Sequence, residues 1–144
     1  MVDKNINVLE EYGFEIVKFS PLHDNNLPEN ISAIWLSGGY PELYLPQLSQ
    51  NTKLLTQIFE KLTNGLACIA ECGGFIYLHK NFEDNTGESF RGVGLIDGKA
   101  FKTKKLVRFG YIEIEAKSDS VLMKKNQKIR SHEFHYFDST NNGE

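Results

Sequence analysis

The apolar residues in the first half of the chain follow two spacings, one typical of helices and one typical of strands. From Leu54 to Leu62 they recur at helical spacing, and Gly65 stands where such a helix would end. Two short apolar runs, residues 31–36 and 66–70, predict strands. The second run is uniformly apolar, which is typical of a strand that is covered on both faces.

Further elements follow from the residues that begin and end each run. We expect a helix over residues 4–12, capped by Asp3 and ended by Gly13. Residues 14–19 are rich in β-formers and predict a strand, and residues 75–79 predict a short helix. The order of helix, strand, strand, helix, strand and helix favours an α/β protein with a parallel sheet.

The second half of the chain has a different pattern. Residues 106–116 alternate apolar and polar positions in their later part, as a half-exposed strand does, and residues 129–136 are a further strand candidate. The polar stretches 81–88 and 139–144 are predicted to be loop or frayed tail. Because no boundary is visible, residues 1–144 are expected to form a single domain.

Length, charge and cysteine content narrow the class of protein. A chain of 144 residues suits one domain, and a hydrophobic share of 40% supports a packed core. The net charge of -3 gives no reason to expect a nucleic-acid or membrane-surface partner. No apolar run approaches the ~20 residues that span a bilayer, and the start of the chain lacks the apolar core of a signal peptide. With only two cysteines as well, we expect a cytoplasmic protein without a disulfide scaffold.

Cys72 is the strongest candidate for a nucleophile. It follows the second apolar run and precedes Gly73, Gly74 and a predicted helix, which is the layout of a nucleophile elbow. The glycines suit a strained backbone and a closely packed helix, and the helix N-terminus favours the thiolate. The backbone N–H of Gly73 is a candidate donor to an oxyanion. Cys68 lies inside the apolar run and is expected in the core; no second pair of cysteines supports a metal site, so none is predicted.

Two histidines, His132 and His135, are candidates for a general base, and the residues alone do not choose between them. Because side chains alternate along a strand, Ser131, Glu133 and His135 are expected on one side, and His132 with Phe134 on the other. A glutamate beside a histidine could orient the imidazole or stabilise its charge, as nucleophile–base sites require. The remaining histidines are interpreted as incidental: His23 in a polar loop and His79 near a helix end.

A second pair of glycines follows the first apolar run, in the segment SGGYPE at residues 37–42. Two glycines after a strand can aim backbone N–H groups at an anion. Gly38, Gly39 and Tyr40 are therefore candidates for oxyanion or substrate binding together with Gly73, and an ordinary glycine-rich turn is the alternative. The chain contains no G-x-x-x-x-G-K-[ST] motif, so ATP binding by a P-loop is not expected.

These segments together resemble a known family. In chain order they are FSPLHD, LSGGYPELY, the segment at Asn51, AECGGFIYL, the FGY at residues 109–111, and RSHEFHY. In this order they are similar to the C-terminal glutamine amidotransferase domain of the cobyrinate a,c-diamide synthases, in the cobyric-acid-synthase-like branch of class I. The resemblance covers nearly the whole chain, and AECGG combined with a distal HEFHY is much more specific than either block alone.

The resemblance implies a flavodoxin-like α/β three-layer sandwich with a mostly parallel sheet. It also implies that Cys72 is the nucleophile and that His135, at the end of H-E-F-H, activates it to hydrolyse glutamine to glutamate and ammonia. The ammonia would pass to a separate ATP-dependent synthetase domain, which amidates the a and c carboxylates of a cobalt corrinoid. ATP and Mg are therefore expected on that domain, and no cofactor is expected on this chain.

Three departures from the family pattern bear on these expectations. The ATP-binding domain and the opening strand have no counterpart before the first predicted helix. We therefore expect a missing N-terminal strand and a fragment of a larger ligase, with a split subunit or a truncated reading frame as the alternatives. Ser131 and Phe137 stand where the family more often has Gly and Ser. The better-known class I enzymes have a glutamate two residues after the histidine, where this chain has Phe137. Glu133 is therefore the candidate for the third member of a triad.

Several alternatives stay open at this point. The acceptor could be another tetrapyrrole, such as hydrogenobyrinate or nickel-sirohydrochlorin, because the acceptor binds the synthetase domain. The chain could be a non-catalytic remnant or regulatory module that keeps the fold. A cysteine hydrolase of the wider elbow-bearing group would share the strand–Cys–helix layout, although the HEFHY block disfavours it. The oligomeric state is open, with a homo-oligomer among the options.

Overall fold

The structure is a computed structural model and describes residues 2–106 and 108–142. The helices are α1 (Val2–Glu11), α2 (Leu45–Gln50), α3 (Thr52–Thr63) and α4 (Gly73–Tyr77), and a 3-10 turn spans Pro41–Leu43. The strands are β1 (Ala33–Leu36), β2 (Ala67–Ala70), β3 (His79–Glu83), β4 (Ser89–Arg91), β5 (Ile96–Lys102), β6 (Arg108–Glu115), β7 (Lys128–His135) and β8 (Phe137–Ser139). No helix within these ranges is long and apolar enough to cross a membrane.

A short parallel sheet and helix α3 form the first part of the core. β1 and β2 run parallel, with Leu36 opposite Ala70 at their carboxyl ends. Asn51 caps α3, since its side-chain oxygen accepts a hydrogen bond from the Leu54 N–H at 3.4 Å. The predicted helical spacing is confirmed, although Phe59 of that set is 40% exposed. The buried residues that α3 and β1 contribute to the core are Leu54, Leu55, Ile58, Leu62, Ile34 and Leu36.

A second sheet contains four strands in the order β4-β3-β5-β8. β3 pairs antiparallel with β4 and parallel with β5, and β5 pairs antiparallel with β8. The turn between β3 and β4 is organised by the Asp84 carboxylate, which accepts hydrogen bonds from the N–H groups of Thr86 and Glu88 at 2.7 and 2.9 Å. The loop predicted over residues 81–88 is confirmed for residues 84–88, which form this turn, but it was wrong for residues 81–83, which are the end of β3.

The polar segment after β7 is also attached to this sheet. Ser139 is the last residue of β8. The Thr140 N–H donates to the Lys99 carbonyl at 3.0 Å, and its hydroxyl accepts from the Lys99 N–H at 2.8 Å. The prediction of a frayed tail over residues 139–144 was thus wrong for its first residues, and residues 143 and 144 lie outside the described part.

β6 and β7 form an antiparallel hairpin, with Arg108 opposite His135 and Glu115 opposite Lys128. The two strands predicted in the second half of the chain are therefore confirmed. One face of the hairpin carries aromatic rings that meet edge to face, with centroids 5.4 to 5.8 Å apart: Phe109, Tyr111, His132 and Phe134. The opposite face carries Ser131, Glu133 and His135, which are each partly buried.

The mixed α/β class is confirmed, but the strand pairing differs from the prediction. Within the described ranges the strands form three sheets with two parallel and three antiparallel pairs, rather than one mostly parallel sheet. β2 is half-buried at every residue, so the prediction of cover on both faces was wrong. No described residue of α1 belongs to the core.

Two local predictions near the start of the chain were also wrong. Residues 14–19 form no strand, although their composition favours one, because a lone extended segment without a paired neighbour is not stable as a strand. Phe14 and Val17 in this segment are more than half exposed. Helix α1 begins at Val2, so Asp3 already lies within the helix and is not its cap.

Candidate active site

Cys72 lies on the sharp turn between β2 and α4, and its backbone is strained. The φ and ψ angles are 48° and -110°, in a region that costs non-glycine residues on the order of 1–3 kcal/mol. The other described non-glycine residues with positive φ, Asn30 and Asn126, are of a type that tolerates it. The Cys72 side chain is exposed. The predicted strand–turn–helix layout is confirmed, and the strained backbone is typical of a nucleophile elbow.

Gly73 and Gly74 allow α4 to pack directly on the end of β1. A Cβ atom at Gly73 would lie 2.5 Å from the Gly39 carbonyl oxygen and 2.8 Å from the Cδ of Pro41. A Cβ atom at Gly74 would lie 2.7 Å from the Leu36 Cβ and closer still to the Leu36 carbonyl oxygen. Real Cβ atoms essentially never come within 3.0 Å of such neighbours. Both positions therefore require glycine for close approach of the backbone.

The glycine loop after β1 lies beside this elbow. β1 and β2 are parallel neighbours, so the loops that leave their carboxyl ends meet at the same edge of the sheet. The Glu71 N–H donates to the Leu36 carbonyl at 2.9 Å, and a Cβ atom at Gly38 would lie 3.5 Å from the Cys72 Cβ. Tyr40, at the end of the loop, is 73% exposed. The structure thus brings the predicted oxyanion loop and the cysteine together.

His135 and Glu133 lie on the same face of β7, as the alternation of side chains predicted. The His135 Nε2 is 3.6 Å from a Glu133 carboxylate oxygen, and its Nδ1 is 2.5 Å from the Phe137 carbonyl oxygen. Because a carbonyl only accepts, Nδ1 carries the proton, which leaves Nε2 as the basic nitrogen of the neutral ring. Glu133 would then stabilise the ring once it takes up a second proton. His132 points to the opposite, aromatic face.

The candidate residues therefore form two groups. The first contains Cys72 and its neighbouring glycine loop, and the second contains His135 and Glu133. Within the described ranges no hydrogen bond or ion pair joins the Cys72 sulfur to the second group. The hairpin that carries His135 is tied to the rest of the chain through the Tyr136 carbonyl, which accepts from the N–H and the hydroxyl of Thr103 at 2.7 and 2.8 Å.

Cys68 and the two remaining histidines differ in their burial. Burial raises the pKa of the Cys68 thiol, and this residue packs against the core as expected. His23 is exposed, whereas His79 is fully buried. Nothing local in the sequence indicates this, because the ring is enclosed by residues about 60 positions away. In the described part of the chain, no group of three or more His, Cys, Asp or Glu is placed to hold a metal ion.

A strained cysteine between a parallel strand and a helix, with the glycine loop of the neighbouring strand beside it, defines a protein of the nucleophile-elbow class. Comparison with known families specifies this further. Residues 2–144 match the CobB/CobQ-like glutamine amidotransferase domain, and the chain belongs to this family.

Curated relatives named cobyrinate a,c-diamide synthase are similar to this chain. The relative from Caldanaerobacter subterraneus subsp. tengcongensis is 43% identical over 133 residues, which cover 92% of this chain. The relatives from Salmonella typhimurium and Clostridium tetani are 45% and 44% identical and cover 93% and 91% of it. In each case the chain spans only 29% of the relative's length.

Proposed function

We propose that this chain is the glutaminase part of an amidotransferase that supplies ammonia for the amidation of the a and c carboxylates of cobyrinate in cobalamin biosynthesis. Membership of the glutamine amidotransferase family and the shared name of the relatives support this proposal. The single observation that carries the chemistry is the strained, exposed Cys72, with the loop of Gly38 and Gly39 against it.

The proposed reaction begins with attack of the Cys72 thiolate on the carboxamide carbon of glutamine. The carbonyl oxygen becomes an oxyanion, for which the N–H groups of Gly73 and Gly39 are the candidate donors. Gly73 is the first residue of α4, so its N–H has no acceptor within the helix. Loss of one such donor costs about 3–4 kcal/mol of barrier in other hydrolases. The intermediate collapses to a γ-glutamyl thioester with release of ammonia, and water then cleaves the thioester to glutamate and the free thiol.

His135 is the proposed general base and acid in both steps. It takes the thiol proton at Nε2 and returns it to the departing ammonia. Its Nδ1–H bond to the Phe137 carbonyl sets the required tautomer, and the nearby Glu133 carboxylate stabilises the imidazolium. Hydrogen bonds between nucleophile and base commonly tighten only when substrate is bound. We therefore expect glutamine to be present when the two groups of the site come together.

The remaining parts of the proposed reaction belong to an ATP-dependent synthetase domain. This domain would bind ATP, Mg and the corrinoid, and the chain would be one domain of that larger ligase. The relatives are named for cobyrinate, which favours this acceptor over hydrogenobyrinate or nickel-sirohydrochlorin. We also infer that the assembled domain is a flavodoxin-like three-layer sandwich. Residues 14–19 would join the sheet of β1 and β2 there, since they have the composition of a strand and pair with none in the described ranges.

Glutaminase activity in the presence of the synthetase part tests this proposal. Cys72→Ala and His135→Ala should each abolish release of glutamate, because one removes the nucleophile and the other removes its base. The chain offers a matched control for each variant. Cys68→Ala removes the core cysteine of the preceding strand, and His132→Ala removes the histidine on the opposite face of β7.

Both control variants should keep most of the wild-type rate. Full activity in Cys72→Ala or His135→Ala would refute the assignment of that residue. A wild-type chain that binds the synthetase part but releases no glutamate would instead support the non-catalytic alternative.

A further inference from the structure

His79 is the only residue with a polar or charged side chain that is fully buried within the described ranges. It is the first residue of β3 and follows α4 closely, so it lies just behind the elbow. Both ring nitrogens have partners: that of Nδ1 lies four residues earlier in the chain, and that of Nε2 lies 60 residues later. A buried imidazole with this many partners fixes the position of the segments it joins.

On one side, His79 is attached to the helix that begins at the elbow. Its Nδ1 lies 3.0 Å from the Phe75 carbonyl oxygen, and the Phe75 ring packs edge to face against the imidazole at a centroid distance of 4.8 Å. The same helix is bound to the elbow through the Ile76 N–H, which donates to the Cys72 carbonyl at 3.0 Å. A shift of the His79 ring would therefore move the helix on which the Cys72 turn rests.

On the other side, His79 is attached to the segment that follows the proposed base. Its Nε2 lies 2.6 Å from the Ser139 hydroxyl and 3.2 Å from the Asn141 carbonyl oxygen. Ser139 ends β8, and β8 begins at Phe137, whose carbonyl accepts the Nδ1–H bond of His135. A short path of contacts thus runs from the imidazole of His79 to the imidazole of His135.

The two ring nitrogens of His79 have partners of different kinds. The Phe75 carbonyl can only accept, so Nδ1 carries a proton. The Ser139 hydroxyl accepts from the Asn141 N–H at 3.0 Å and lies 2.5 Å from the Asn141 carbonyl oxygen. The hydroxyl is therefore the group through which the ring contacts the end of β8, and its removal would detach the ring from that strand while leaving the ring enclosed.

We propose that His79 is a positioning residue that holds the elbow helix and the segment carrying His135 in fixed relation to each other. This inference rests on the proposed roles of Cys72 and His135. It explains how a hairpin with no direct bond to the elbow keeps its base within reach of the thiol when glutamine is bound. His79 itself is fully buried, and its ring has no hydrogen bond to the Cys72 sulfur.

A purely structural role of the His79 contacts would give a different pattern of effects on catalysis in two matched variants. Thr140 anchors the same segment to β5 through Lys99, but it has no bond to His79. Ser139→Ala and Thr140→Ala therefore each remove one hydroxyl, at neighbouring positions. Only Ser139→Ala removes a contact on the path from His79 to His135. If the segment only needs to be anchored, both variants should behave alike.

The test measures kcat and KM for glutamine in the chain with its synthetase part, together with thermal stability. Ser139→Ala should lower kcat about 10-fold or more with little change in KM, since small misplacements of a catalytic group lower the rate of the chemical step. Ser139→Thr keeps the hydroxyl and should restore most of the rate. Thr140→Ala should leave kcat close to wild type, even if its midpoint of unfolding falls as far as that of Ser139→Ala.

Equal kcat values in Ser139→Ala and Thr140→Ala would overturn the inference, provided that Cys72→Ala is inactive. If Cys72→Ala is active, the proposed function fails instead, so the two failures are distinguishable. If Ser139→Ala does not fold, a measurement on the wild-type sequence can still refute the inference. Alkylation of Cys72 by a glutamine-analogue electrophile should shift the nitrogen NMR signals of the His79 ring, and unchanged signals would also overturn the inference.

Discussion

Replacement of Gly74 by alanine should push the elbow helix away from β1. The new Cβ would lie 2.7 Å from the Leu36 Cβ and nearer to the Leu36 carbonyl oxygen, whereas ordinary contacts begin at 3.4 Å. α4 must therefore move by at least about 0.7 Å, the difference between these distances, and backbone rather than a flexible side chain stands in the way. Overpacking of this kind costs about 1–3 kcal/mol. For a chain of this length that lowers the midpoint of thermal unfolding by about 4–12 °C.

The same shift should disturb the chemistry at the elbow. A displacement approaching 1 Å at a reacting group lowers rates by about 100-fold, so labelling of Cys72 by a glutamine-analogue electrophile should slow by about that factor. Gly39→Ala is the matched control for stability, because a Cβ there has nothing within 4 Å and the residue has no positive φ. It should leave the unfolding midpoint unchanged or slightly raised. The close packing of α4 on β1 would be refuted if Gly74→Ala unfolds at the same midpoint as Gly39→Ala and is labelled at the wild-type rate.

Three further predictions concern stability and thiol reactivity. The Tyr77 hydroxyl is buried with no hydrogen-bond partner in the described ranges, so Tyr77→Phe should raise the free energy of unfolding by up to about 1–3 kcal/mol in denaturant melts, and a loss would contradict this. Hydrogen bonds, chiefly from the Thr86 hydroxyl, hold the pKa of Asp84 below its ordinary value. The stabilisation of this turn is thus fully present above about pH 4 and is lost as pH falls through the lower folded pKa. Hydrogen exchange of the Thr86 amide, measured relative to its intrinsic rate at each pH, should therefore become faster there. The Asp84→Asn variant should not show this pH dependence. Because burial raises the pKa of Cys68, iodoacetamide at mildly alkaline pH should modify Cys72 first, and peptide mapping that finds Cys68 modified first would contradict it.

The elements that depend on local sequence could be predicted. The spacing from Leu54 to Leu62 gave α3, and a strand followed by a cysteine and two glycines gave the elbow, because both signals lie within a few residues of each other. The period of two along β7 placed Glu133 and His135 on one face correctly. Spacing alone did not choose His135 over His132, since either histidine satisfies the alternation.

The features that depend on distant partners could not be predicted. Residues 14–19 have the composition of a strand, but a strand needs a neighbour, and composition does not say whether one is there. The burial of His79 requires Ser139 and Asn141, which no local pattern connects to it. The polarity of residues 81–88 indicated the loop around Asp84, but not the hydrogen bonds by which the Asp84 carboxylate orders its backbone.

Covalent trapping of the nucleophile tests the central claim most directly. The chain with its synthetase part would be incubated with a glutamine-analogue electrophile, digested, and mapped by mass spectrometry with and without excess glutamine. We predict a single adduct on Cys72, suppressed by glutamine and slowed strongly in His135→Ala. An adduct on Cys68 instead, or a Cys72 adduct that glutamine does not suppress, would contradict the account.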